Sequence, residues 1–271
     1  MDSLHYSLSD LLRVMQRLRD PETGCPWDLR QDFHSIVPST LEECYELAQA
    51  IEDQDFDHIA EELGDVLFQV VFYAQLGREK NVFCFDDIVQ KLVEKLIRRH
   101  PHVFAQGEID GIVSSASSVE DVRRNWEEIK QLERDEKNQS GILADVPRAL
   151  PALPRAQKVQ KRAAQVNFDW VDARSVLDKV QEELDELREA MNSGHAEGID
   201  DEMGDVLFSC ANLARHLGLD AEETLRHSTA KFERRFQNME VRVAGDGAAL
   251  SAMSEKQYDR LWRLAKDDLG G

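Results

Sequence analysis

Four carboxylates recur in this 271-residue chain at a fixed interval of 140 positions. Glu43, Glu46, Glu62 and Asp65 form the first set, and Glu183, Glu186, Glu202 and Asp205 form the second. Residues 42–68 align on 182–208 without a gap, and 12 of the 27 pairs are identical, Gly64-Asp65-Val66-Leu67-Phe68 against Gly204-Asp205-Val206-Leu207-Phe208 among them. Self-similarity on this scale means one supersecondary unit used twice. The match resumes downstream at an offset of 136, where Lys95, Arg98 and Arg99 pair with Lys231, Arg234 and Arg235. At that offset Arg124, Trp126 and Lys130 also pair with Arg260, Trp262 and Lys266.

The unit that repeats is helical. Charged residues make up 32% of the chain, against only 14 Gly and 7 Pro, a balance that favours helix over sheet. Apolar positions fall at helical spacing, as in Leu8, Leu11, Leu12, Met15 and Leu18. The pattern predicts helices over 7–19, 41–52, 57–78, 86–99 and 119–137. In the second half it predicts 172–191, 197–216, 221–242 and 254–267. Thr40 before Leu41-Glu42-Glu43 reads as a capping box. Segment 105–119 reads as a loop, and Gly245-Asp246-Gly247 as a break. The Pro-bearing stretch 138–154 reads as a linker between an N-terminal module, 1–137, and a C-terminal module, 155–271. No strand signal of any strength is present. The expected fold is all-α: tandem duplicated helical modules that pack as bundles.

Residues three apart share a helix face. Glu43 with Glu46, and Glu62 with Asp65, are therefore two carboxylate pairs on consecutive helices, separated in each module by 16 residues. An antiparallel helix pair would bring the two together. Converging carboxylates repel one another, and a bound cation resolves the repulsion. Oxygen ligands without His or Cys suit a hard ion, Mg²⁺ or Mn²⁺. Gly64 and Gly204, inside helical patterns, suggest a close approach of another helix or a ligand. The KxxRR groups can neutralise phosphate oxygens that a metal does not reach, and Trp126 and Trp262 can stack on a planar base.

The formal charge of -20 argues against a nucleic acid polymer as partner, because the phosphate backbone would be repelled. No apolar run is long enough for a membrane span, and the N-terminus has no signal-peptide pattern. The four cysteines show no CxxC spacing and read as reduced, buried thiols of a cytoplasmic protein. Phosphate-loop and dinucleotide glycine motifs are missing, and so is the E-x-x-H of a di-iron bundle. A helical dimer that binds nucleotides or a partner protein without turnover is the alternative reading.

These residues resemble the MazG family of all-α nucleoside triphosphate pyrophosphohydrolases. EExxE followed by ExxD is its signature, here Glu42-Glu43-x-x-Glu46 with Glu62-x-x-Asp65 and Glu182-Glu183-x-x-Glu186 with Glu202-x-x-Asp205. CPWD at 25–28, RRHPHVF at 98–104, NWEEIK at 125–130, KVQKRAAQVNFDW at 158–170 and KFERRF at 231–236 extend the likeness along nearly the whole chain. The resemblance implies Mg²⁺-dependent hydrolysis of NTPs or dNTPs to monophosphate and pyrophosphate in a homodimer, by a metal-activated water at the α-phosphorus. It implies that Glu183, Glu186, Glu202 and Asp205 hold the metal, with Glu43, Glu46, Glu62 and Asp65 as their N-terminal equivalents. Lys231, Arg234 and Arg235 would contact the triphosphate and Trp262 the base, with Lys95, Arg98, Arg99 and Trp126 in the same roles in the first module. Glu182 and Glu42 are candidates for orienting the water.

Overall fold

The computed structural model describes residues 5–111, 118–136, 141–194, 196–245 and 249–268. Two compact units divide the chain, Met1–Gln131 and Leu132–Gly271. Among the described residues there are ten α-helices and no strand, and no helix is long and apolar enough to cross a membrane.

In the first unit lie α1 (Leu8–Leu18), α2 (Val37–Glu52), α3 (Phe56–Glu79), α4 (Phe85–Arg99) and most of α5 (Val119–Glu136). Helix α3 is the hub, because α1, α2 and α4 all pack on it. Its buried face carries Val71, Phe72, Ala74 and Leu76, and Met15 of α1 and Ile36 complete the cluster. Ser7 caps α1 through a reciprocal pair of bonds with Asp10, and Asp55 caps α3 by accepting from the His58 amide. Thr40 does not cap α2, contrary to the sequence reading. The helix starts four residues earlier, at Val37, with Pro38 in its first turn, and the Thr40 hydroxyl donates back to the Ile36 carbonyl at 2.9 Å. A proline needs no amide partner in the first turn, so it serves as a start signal there.

Arg19 ties the unit together. Its side chain is buried, pairs with Glu79 through two bonds of 2.8 and 2.6 Å, donates to the Asp28 and Gln31 carbonyls, and lies over the Phe72 ring. Bonding to Arg19 holds the Glu79 carboxyl below its usual range. Changing Arg19 to Met should destabilise the unit by roughly 3 kcal/mol, the low end for breaking a buried pair because Glu79 keeps partial solvent contact. A depressed carboxylate contributes stability above its unfolded pKa and loses it as pH falls through the folded value. The wild-type advantage in a urea titration should therefore be full at neutral pH and shrink below about pH 4. An equal gap at both pH values would show that Glu79 is not the partner that matters.

The second unit repeats the plan with α6 (Ala152–Ala164), α7 (Ala173–Ser193), α8 (Ala196–His216), α9 (Ala221–Gly245) and α10 (Glu255–Asp268). Helix α8 takes the place of α3, with α6, α7 and α9 packed on it and α10 on α9. Asp172 caps α7 by accepting from the Ser175 amide, and Gly194, at φ 70°, ends it in the left-handed conformation. Helix α6 has no counterpart in the sequence reading. Pro151 and Pro154 suggested a linker, but they occupy the N-cap and the first turn, where a missing amide hydrogen costs nothing. Upstream of it, Val146 is buried and Asp145 pairs with Arg162. Residues 246–247 of the expected break, 138–140 of the expected linker, residue 137 of the expected helix and 112–117 of the expected loop lie outside the described residues.

A Cβ added to Gly64 or Gly204 would meet nothing within 4 Å, so among the described residues no other helix approaches those glycines, and the space beside them is open. The expectation of four buried cysteines is corrected. The cysteines are free, but Cys44 and Cys210 are exposed on α2 and α8, and Cys25 and Cys84 are half-buried. Cys44 and Cys210 therefore stand on the outward faces of their helices.

Candidate metal and triphosphate sites

Short connections make α2–α3 and α7–α8 antiparallel neighbours. In the first pair, ligand oxygens of Glu43, Glu46 and Glu62 all lie within 4.8 Å of one another. In the second, Glu183, Glu186 and Glu202 do the same. Glu62 and Glu183 are the inner members, 7% and 5% exposed, and Glu46 and Glu186 form the solvent edge. Asp65 and Asp205 follow one helical turn beyond Glu62 and Glu202 and stand outside the triads, although Asp65 is the strongest charge acting on Glu43.

The electrostatics follow from this crowding. Burial raises the Glu43 carboxyl above its ordinary pKa, and the charges of Asp65, Glu46, Glu62 and Glu42 push it further. Glu186 is raised by desolvation and by its bond to Glu183, with Lys179 opposing. The buried Oε2 of Glu62 has no hydrogen-bond partner. Crowded carboxylates, one with an orphaned inner oxygen, form a donor set that fits a hard divalent cation.

Two residues that the sequence reading passed over touch these sets. His58 Nε2 lies 2.7 Å from Glu62 Oε1, and Lys179 Nζ lies 2.6 Å from Glu182 and 2.9 Å from Glu183. The two carboxylates raise the Lys179 pKa further, so it stays charged. Both pairs have i,i+3 or i,i+4 helical spacing, and that spacing was the available signal. At the 140 offset Ser39 stands opposite Lys179, and Gly198 opposite His58. The duplicated sites are thus not copies in their counter-charges. Glu42 and Glu182 are both exposed, and Lys179 holds the latter.

The basic groups lie on the helices that follow. Lys231 and Arg234 are exposed on α9 and make no ion pair with the second acidic set among the described residues. Arg235 is half-buried, its Nε has no partner, and its guanidinium stands 5.9 Å from the Trp262 ring centre. Lys266 stands 5.8 Å from the same ring, and Phe232 packs against it at 5.3 Å. In the first unit Lys95, Arg98 and Arg99 lie on α4, and Trp126 on α5 faces His100 at 6.2 Å. The Lys130 side chain is outside the described residues.

The MazG nucleotide pyrophosphohydrolase domain matches twice, at residues 31–104 and 172–239, together more than half of the chain. The chain belongs to the MazG family. Each MazG region holds one complete acidic set and the KxxRR that follows, while Trp126 and Trp262 lie beyond them. A nucleoside triphosphate pyrophosphohydrolase of Escherichia coli K12 is 49% identical over 258 residues, 94% of this chain and 95% of that one. A Thermotoga maritima protein called nucleoside triphosphate pyrophosphohydrolase/pyrophosphatase MazG is 43% identical over 257 residues, 95% and 94% of the two chains. Both alignments run through the two MazG regions and the segments beside them.

Proposed function

We propose that the chain hydrolyses nucleoside triphosphates, NTP or dNTP, to the monophosphate and pyrophosphate, with Mg²⁺ as the ion and Mn²⁺ as a substitute. The observation that carries this reading is the pair of acidic triads, each with a buried inner glutamate, inside the two MazG regions. Glu43, Glu46 and Glu62, and Glu183, Glu186 and Glu202, would hold the cation, with Asp65 and Asp205 one turn away. A divalent cation there supplies charge neutralisation for the triphosphate and a lowered pKa for water. The chain's own residues do the rest. Lys231 and Arg234 offer exposed positive charge to the remaining phosphate oxygens, and Arg235 is oriented by packing against Trp262. Lys95, Arg98, Arg99 and Trp126 take these parts in the first module. Glu182 and Glu42, outside the triads, would orient the attacking water and accept its proton. The two modules proposed are 1–137 and 155–271, joined through 138–154, whose last residues form the first turn of α6.

A homodimer is part of the same reading. Leu63 and Leu67 on α3, and Met203 and Leu207 on α8, are exposed at matching positions beside the open space at Gly64 and Gly204. A second copy would cover these faces.

Incubation with each triphosphate and Mg²⁺ should release monophosphate and pyrophosphate in equal amounts, read by chromatography. Diphosphate with orthophosphate would refute the reaction, and binding without turnover would favour the non-catalytic dimer. In thermal melts Mg²⁺ should raise the midpoint at pH 7, by about 2.7 kcal/mol of stabilisation at 100 times its Kd. Protons compete for carboxyls whose pKa is raised, Glu43 and Glu186, so the gain should fade on the acid side, starting above the ordinary carboxylate range. An ion effect independent of pH would speak against these ligands.

A further inference from the structure

The inner glutamates of the two acidic sets are satisfied differently. In the first set His58 Nε2 meets Glu62 Oε1 at 2.7 Å, and Oε2 lies buried with no hydrogen-bond partner. Glu62 is more than nine-tenths buried, so this oxygen is cut off from bulk solvent. A buried polar atom left in this state marks the place of an ion or a water. In the second set Lys179 Nζ meets Glu183 Oε1 at 2.9 Å and Glu182 Oε1 at 2.6 Å, and Glu186 shares a hydrogen bond with Glu183. Glu183 is buried as deeply as Glu62, yet no orphaned oxygen remains on it.

The difference comes from single substitutions at one helical spacing. Lys179 stands four residues before Glu183 on α7, and the residue four before Glu43 on α2 is Ser39, which is short and uncharged. His58 stands four residues before Glu62 on α3, and its counterpart on α8 is Gly198, which has no side chain. Each set therefore keeps one nitrogen partner, drawn from the opposite helix of its pair. The two partners differ in charge. A neutral imidazole can donate the bond to Glu62, whereas the Lys179 ammonium carries its charge whenever it donates. Bonding to Glu182 and Glu183 raises the Lys179 pKa further, so that charge is permanent. Burial raises the Glu43 carboxyl, and the charges that push it further are all carboxylates. Burial and the bond to Glu183 raise Glu186, but there Lys179 opposes them.

We infer that the first acidic set is a standing site for a free divalent cation, and that in the second set Lys179 is a built-in counter-ion that weakens the binding of a free cation. The inference rests on the reading of both sets as cation sites and adds the order of their affinities. A cation entering the first set meets the open inner oxygen of Glu62, with His58 left on the other oxygen. A hydrogen bond of that kind orients a ligating carboxylate and is the ordinary outer support of a metal site. A cation entering the second set must displace the ammonium from Glu183 or bear its repulsion. A fixed unit charge about 4 Å from a partly exposed site alters cation binding by more than about tenfold.

The test is a titration of the full chain with Mn²⁺ alone, without nucleotide, in which the magnetic resonance signal of the free ion counts what is bound. The wild type should hold one Mn²⁺ per chain more than about tenfold more tightly than a second. Glu46→Gln should remove the tight site and Glu186→Gln should leave it; both positions are exposed, so neither change disturbs a core. Lys179→Met should tighten the second site by more than about tenfold, and Lys179→Arg, which keeps the charge, should leave it weak. Ser39→Lys, which brings the counter-charge to the first module, should weaken the tight site and decides the matter if Lys179→Met misfolds. Two sites of equal affinity in the wild type, or a tight site lost in Glu186→Gln, would overturn the inference and leave both sets as cation sites. A second site unmoved by Lys179→Met, with a first unmoved by Ser39→Lys, would overturn the part given to the ammonium. Failure of the wild type to bind Mn²⁺ at all would overturn the cation sites as well.

Discussion

Combining Glu46→Ala with Glu186→Ala is expected to lower pyrophosphate release by more than about 100-fold for every triphosphate, while the melting midpoint without metal holds or rises. Each residue is the exposed member of its triad, so truncation leaves no cavity in the core. Each also takes part in the crowding that raises a carboxyl pKa: Glu46 acts on Glu43, and Glu186 is itself raised beside Glu183 and Glu202. Removing one of several like charges relieves repulsion in the metal-free protein and removes a ligand oxygen in the loaded one. The two effects have opposite signs, and this separates a metal site from a merely structural cluster. The single variants apportion activity between the modules: the one that retains turnover keeps the working site. Turnover that survives the double change would mean that the acidic triads are not the reaction centre.

The largest stability effect is expected from Phe72→Ala. Its ring is fully enclosed between α1 and α3 and carries the Arg19 guanidinium on one face. Deleting it removes buried apolar area and leaves a cavity in a packed core, a loss of about 3–5 kcal/mol. The first unit should therefore melt well before the second, giving two calorimetric transitions. Asn212→Ala, at the same register position in α8, should cost far less, because an open cavity already adjoins it. Equal losses at the two positions would contradict the difference in packing between Phe72 and Asn212.

Much of this was legible in the residues. The 140-residue interval, the i,i+3 carboxylate pairs and the apolar stripes specify helices, their duplication and the convergence of Glu43 and Glu46 with Glu62, because helical periodicity and a short connection leave few other arrangements. The start of α2 is misread when Thr40 counts as its cap, and α6 is missed when Pro151 and Pro154 count as linker residues, although proline occupies first turns, where its missing hydrogen has no partner to lose.

What the sequence by itself determined is the module: its helical class, its two copies, its acidic and basic residue sets. Those features are periodic and local, and spacing along the chain expresses them fully. Only the tertiary structure decided which carboxylates are buried, that Lys179 and His58 hold them differently in the two copies, and that Gln160 and Asn212 meet at a cavity. Gln160 and Asn212 are 52 positions apart on different helices, and the direction of each amide is set by a third residue, Phe208 or Arg215. Packing brings such groups together, and no interval in the sequence records it.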